Sequence, residues 1–232
     1  NPHFLYNTLE AIRMKAICNG DREVGKMLYS LAVTFRSQLK EADVITLMQE
    51  MHYCKKYLEL FEYRYQGKFH SSVECGPELS NIPVIKFILQ PIIENYFIHG
   101  IRMEENDNEI NIYARRAGED LFIHVEDNGR GMPEKDMESK NRELANNEMD
   151  TRKSIGVTNV NRRLKAAYGD TCGVFLTANH PRGMHVILKV KVKERETDEE
   201  SNAGGGRGAD PSGNKEHNRL GRSEEHTSEL QS

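Results

Sequence analysis

No C-x-x-C pair and no cysteine-histidine cluster of metal-ligand spacing occurs. The four cysteines, Cys18, Cys54, Cys75 and Cys172, are scattered, which points away from a thiolate metal centre and towards free thiols in a reducing compartment. No window approaches the roughly 20 apolar residues that a membrane-spanning helix needs, and no signal-peptide pattern is present. Positive charge is not in surplus either. Lys and Arg number 32 against 36 Asp and Glu, a formal net charge of -4, so composition offers no electrostatic footprint for nucleic acid. What is present is a chain of 232 residues, 37% of them hydrophobic, enough for one domain plus a smaller appended element. As it stands it is expected to be soluble and cytoplasmic.

Apolar spacing organises the chain. Phe4, Leu5, Leu9 and Ile12 recur at three- and four-residue steps, as do Met27, Leu28, Leu31 and Phe35, which predicts two helices parted by Asn19-Gly20-Asp21. A third helix is predicted from Leu47 to Tyr65 on the stripe Met51, Cys54, Tyr57, Leu58 and Phe61, with Gly67 beyond its end. Past Gly67 the period changes to two. Phe69, Ser71, Val73 and Cys75 alternate as in a strand, and 110–113 with 121–125 read as a hairpin around Gly118. An apolar helix is predicted from Val84 to His99 and another from Val157 to Tyr168, with strands near 174–177 and 185–192. The mixture implies an α+β fold: a helical segment over 1–66, then a two-layer sandwich of helices on a sheet over 67–193. The charged stretch 133–154 has almost no apolar periodicity and is expected to be a lid. The polar, glycine-rich stretch 194–221 is expected to be disordered. The last residues, 222–232, resemble a translated sequencing-library adapter and are set aside from fold reasoning.

Four short motifs carry chemistry. Asn1-Pro2-His3-Phe4-Leu5-Tyr6-Asn7 opens the first helix, with Asn1 as a possible cap and Pro2 tolerated in the first turn. An imidazole such as His3 is neutral over much of the physiological range and has a lone pair able to attack a phosphoryl group; a lone surface histidine is the bland reading. Gln90-Pro91-Ile92-Ile93-Glu94-Asn95-Tyr96-Phe97-Ile98-His99-Gly100 embeds a Glu-Asn pair in an apolar helix. The Asn95 oxygen could complete a Mg²⁺ shell, or the amide could serve an inter-helix hydrogen bond. Asp127-Asn128-Gly129-Arg130-Gly131-Met132 follows a predicted strand. Its glycines permit positive-φ backbone and its aspartate can accept from an exocyclic amine, although a plain turn or a calcium-loop fragment fits the same residues. Ser154-Ile155-Gly156-Val157-Thr158-Asn159 opens a helix, where backbone amides suit phosphate.

In this order and spacing the four motifs resemble the H, N, G1 and G2 boxes of sensor histidine kinases, most closely the LytS-like branch whose phosphoacceptor motif reads N-P-H-F-L-Y-N. The resemblance spans residues 1–192. It implies a nucleotide-binding sandwich of the type shared with the gyrase, Hsp90 and MutL ATPases (GHKL), preceded by a helical bundle that forms a homodimer. It implies ATP and Mg²⁺ as ligands, His3 as phosphoacceptor, and Asn95 as metal ligand with His99 and Gly100 closing its box. Asp127 would contact adenine, with Gly129, Gly131, Met132, Gly156, Val157 and Asn159 around the nucleotide. The phosphoryl group would pass to an aspartate of a response regulator, and no such receiver domain is visible in this chain. Membrane attachment is expected only through an upstream part, because the chain opens at Asn1, inside its most informative motif.

Three departures accompany the resemblance. Phe4 stands where many of these kinases carry an acidic proton acceptor, which leaves Glu94 as the candidate base. Asn7, one turn after His3, is placed to orient a water for dephosphorylation of the partner. Ile98 replaces a phosphate-binding lysine and Ser154 the first glycine of the last box, so Arg130, Arg152 or Lys153 would have to supply a cation. The alternative expectation is a dimeric scaffold that binds nucleotide and has lost transfer chemistry.

Overall fold

The computed structural model describes residues 2–40, 43–146 and 155–192. Asn1, the predicted tail, the adapter-like end and residues 147–154 of the expected lid, among them Arg152, Lys153 and Ser154, lie outside the described residues. Helix α1 runs Pro2–Cys18 and α2 runs Arg22–Lys40. Gly20, at φ 84°, makes the reversal between them, and Asp21 Oδ1 accepts from the Val24 amide to start α2. Helix α3, Leu47–Arg64, begins at a reciprocal cap that the sequence spells as Thr46-x-x-Gln49. The Gln49 amide donates to Thr46 Oγ1 at 3.2 Å, and the Thr46 amide to Gln49 Oε1 at 2.9 Å, an arrangement that stabilises a helix by about 0.5–2 kcal/mol.

Alternation then builds the sheet. Strands β2 (Phe69–Glu74), β4 (Asn108–Ala117), β5 (Asp120–Asp127), β7 (Met184–Lys191) and β6 (Gly173–Ala178) lie side by side in that order. Only the β2-β4 pair is parallel. Leu121, Ile123 and Val125 of β5 are buried with Val186, Leu188 and Val190 of β7 and Ile110 and Ile112 of β4. Period two carries Asp127, the last residue of β5, onto that same helix-covered face. The helical layer is α3, α4 (Gln90–Asn95) and α6 (Ile155–Tyr168), contributing Leu47, Met51, Leu58, Ile92, Ile93, Val160 and Leu164 to one core. Each such fully buried side chain is worth about 1.5–3 kcal/mol in removal from water. The α+β sandwich expected from the sequence is therefore observed, and α3 packs into the same core as the sheet.

The apolar stretch 84–99 is not one helix. Pro83–Ile85 forms β3, paired antiparallel with β1 (Val44–Thr46), and α4 begins only at Gln90. The cause is Glu50 of α3, only 2% exposed, whose carboxylate accepts the amides of Phe87, Ile88 and Leu89 at 2.8–3.1 Å. Phe87 sits at φ 57°, a strained value for a bulky residue. From the other side Arg163 of α6 donates to the carbonyls of Lys86 and Phe87. After Asn95 the chain widens into a single π turn, Tyr96–Gly100, closed by the Ile101 amide on the Tyr96 carbonyl.

The front of the charged stretch is a helix, α5 (Glu134–Asn146), with Lys140 and Leu144 buried and Met137 against the core. Its apolar points are few because polar side chains do much of the docking. Asn141 bonds both the amide and the carbonyl of Leu176 on edge strand β6. Buried Asn161 of α6 donates to the Leu144 carbonyl and accepts from the Val174 amide, and Lys165 donates to the carbonyls of Leu144 and Ala145. On the opposite edge, Glu62 of α3 accepts from the Ser71 amide of β2. All four cysteines are unpaired.

Glu50→Gln should destabilise the fold by about 1–3 kcal/mol in denaturant titration, because the amide nitrogen would face a backbone N–H and leave donors unmet. On the sheet's outer face, His124 Nδ1 lies 2.9 Å from His185 Nε2, and burial, then the charge of His185, lowers the His124 pKa from its ordinary 6.5. The folded state thus binds this proton less readily than the unfolded chain. Its contribution is intact above pH 6.5 and is lost as pH falls from there through the lower folded value. Denaturant titrations on either side of that pH should show the loss, and His124→Gln should flatten it.

Candidate functional site

Three backbone turns and two helix ends meet over the C-terminal end of β5. Asp127, 7% exposed, is held by its own Oδ1, which accepts the Gly129 amide at 2.8 Å and the Met184 amide at 3.2 Å. Burial pushes the carboxyl above its ordinary range and these two amides oppose that rise. No donor among the described residues reaches Oδ2, while the residue lines a cavity of about 130 Å³. The turn after it and the turn before β7 each need a glycine. A Cβ on Gly129 would lie 2.6 Å from the Gly100 carbonyl oxygen, and one on Gly183 only 1.9 Å from that of Asp127. Gly131 and Gly183 also have φ of 71° and 103°. The Arg130 amide donates to the Gly100 carbonyl, which ties this loop to the end of the π turn.

Val125 and Asp127 of β5, Leu176 of β6, and Met184 and Val186 of β7 form the floor of the cavity. Its roof is Ile92, Asn95, Tyr96, His99 and Gly100, with Val157 from the first turn of α6 and Lys140 from α5 at the side. The Asn95 side chain has no hydrogen bond to any described residue, and the buried Tyr96 hydroxyl has no partner among them. The walls are apolar with a few polar atoms left over, the composition of a site for a flat, amphipathic ligand. A ligand with a ring amine, a phosphate-bound divalent cation or both would meet acceptors at Asp127 and Asn95 that nothing else satisfies.

Seven of the sequence-predicted site residues thus line one cavity: Asn95, His99, Gly100, Asp127, Gly131, Met132 and Val157. Gly129 shapes the turn behind it, and Gly156 lets α6 approach Pro91, where an added Cβ would sit at 3.3 Å. Asn159 is exposed and off the wall. Glu94 turns towards α3, where its Oε1 accepts from the Tyr57 hydroxyl at 3.1 Å and from Gln90 at 2.9 Å. His3 and Asn7 lie on α1, away from the cavity lining; Asn7 is exposed, and the His3 side chain lies outside the described residues. Ile98 is 70% exposed and Arg130 is exposed, neither on the wall. Sequence reading missed Lys140, Tyr96, Met184 and Gly183. The one available signal was the phase of β7, which puts Met184 in step with Val186, Leu188 and Val190.

Two family models match this chain. Residues 1–69 match the family described as histidine kinase, and residues 83–194 that described as histidine kinase-, DNA gyrase B-, and HSP90-like ATPase. The chain belongs to the histidine kinases, with the ATPase-type region that this family shares with gyrase B and Hsp90. It is 27% identical over 194 residues to sensor histidine kinase YesM of Bacillus subtilis (83% of this chain, 32% of the relative). Sensor protein LytS of the same organism is 28% identical over 205 residues (86% and 34%). Sensor histidine kinase BtsS of Escherichia coli is 31% identical over 197 residues (84% and 32%). The chain therefore spans about a third of the length of these relatives.

Gly183→Ala should lower the melting temperature strongly, because its Cβ would meet backbone rather than a movable side chain. Gly118→Ala, at φ 61° with nothing within 4 Å, should cost only the roughly 1 kcal/mol of a left-handed alanine. Equal losses in a thermal scan would refute the steric argument.

Proposed function

We propose that this chain is the ATP-binding and phosphoacceptor core of a protein-histidine kinase, which phosphorylates His3 and passes the phosphoryl group to an aspartate of a response regulator. The observation that carries the reading is convergence: residues picked from motifs more than 60 positions apart along the chain share the wall of one cavity. Asp127 takes the adenine amine through its open oxygen, and Asn95 serves as a Mg²⁺ ligand through an amide oxygen that the fold leaves unbonded. When bound, Mg²⁺ neutralises phosphate charge. The residues of this chain do the rest by positioning. Val125, Met184 and Val186 exclude water from the ring site, and the glycine turns hold Asp127 in place. In this reading 1–66 is the phosphoacceptor and dimerisation region, 67–193 the catalytic region, and 133–154 the lid.

Homodimerisation is part of the proposal. Phe4, Leu5, Ile12 and Met14 of α1 are 48–69% exposed, an apolar surface that a second copy would cover in a helical bundle. Among the described residues no helix is long and apolar enough to cross a membrane. Residue Asn7, exposed on α1, is assigned the water-orienting role in partner dephosphorylation.

Incubation with γ-labelled ATP and Mg²⁺ should give an acid-labile, alkali-stable protein label that His3→Gln abolishes. Label surviving in His3→Gln would refute His3 as acceptor. ATP binding with no label at all would favour the scaffold reading instead.

A further inference from the structure

Lys140 is the one Lys or Arg among the described residues that line the cavity. Its side chain is buried, yet its ammonium has only two acceptors, Glu143 Oε2 at 2.9 Å and Thr158 Oγ1 at 3.2 Å. An ammonium has three N–H donors. One is therefore left without an acceptor among the described residues, on a side chain that faces the cavity. Burying a cation is costly unless its charge is used, and a single half-buried glutamate one turn away compensates only part of that cost.

The surroundings fix which part of a ligand would use it. Thr158 belongs to the first turn of α6, and Val157 beside it is on the cavity wall. Gly156 packs that turn against Pro91, one turn before Asn95. Lys140 forms neither an ion pair nor a hydrogen bond with Asp127, and the raised pKa of Asp127 owes nothing to it. The cavity thus has an uncompensated carboxylate oxygen at Asp127 and, apart from it, a cation held at the first turn of α6, with the Asn95 amide also on the wall. Ile98 is apolar, and Arg130 is exposed and not among the residues that line this space.

We propose that Lys140 is the phosphate-binding cation of this site, carried on α5 in place of the lysine that Ile98 displaces. The assignment rests on the reading of the cavity as an ATP site. When nucleotide enters, Nζ exchanges Glu143 and Thr158 for phosphate oxygens. Glu143 and Thr158 are then the parking place of the cation, and phosphate occupancy is linked to how α5 is held against α6.

Calorimetric titration of the chain with ATP and with adenosine, both in Mg²⁺, tests this. Lys140→Gln should weaken ATP by about tenfold or more, the worth of a charge-assisted bond, and leave adenosine within about twofold. Equal losses for both ligands, or none for ATP, would overturn the assignment by showing a merely structural lysine. If Lys140→Gln does not fold, Glu143→Gln decides: freeing the ammonium should tighten ATP and not adenosine, and an unchanged ATP affinity overturns the proposal. A wild-type chain that bound neither ligand would instead refute the ATP reading of the cavity itself.

Discussion

A single buried carboxylate sets the geometry on which the rest depends. Glu50 reaches from α3 to collect three successive amides ahead of α4, and in doing so it holds Phe87 in left-handed backbone and fixes where α4 can begin. Without it those amides would be buried donors with no acceptor, and the stretch would have reason to wind into the longer helix that its composition favours. Arg163 secures the same turn through its carbonyls. The start of α4 determines the direction of Asn95, and the π turn that follows brings Gly100 to the Gly129–Gly131 loop. The site therefore inherits its geometry from a contact on the far side of α4, between the helical region and the sandwich. Any shift of α3 along its axis acts directly on the helix that carries Asn95.

Much of the fold was legible because period and punctuation agree. The switch from a 3.6 to a 2.0 period at Gly67 and the Gly118 reversal are local signals, and each appears in the structure where the residues place it. Asp127 was legible as a site residue because it opens the Asp127-Asn128-Gly129-Arg130-Gly131 motif directly after a predicted strand. What could not be read are features made by distant partners. Strand β3 exists because β1 pairs with it, and the break before Gln90 exists because Glu50, 37 positions before Phe87, collects the amides there. Lys140 was hidden for a related reason. In sequence it is one charge in a charged run, and only docking of α5 through Asn141, Asn161 and Lys165 turns it inward.

The site also shows why glycine and not merely a small residue recurs at its rim. At Gly129 and Gly183 the competing atom is a backbone oxygen, so no neighbouring side chain can give way. That crowding is what places the Gly129 and Met184 amides on one oxygen of Asp127 and leaves the other to the cavity. The same economy appears at Asn161, where one buried amide serves α5, α6 and β6 together.

Both margins of the five-stranded sheet are finished by side chains: Glu62 meets the Ser71 amide on β2, and Asn141 meets the amide and carbonyl of Leu176 on β6. An open margin is a template on which a foreign strand can grow. On the β6 side that protection is lent by α5 and lasts only while α5 stays docked. A chain whose α5 has swung away exposes a bare strand next to the half-exposed Phe175.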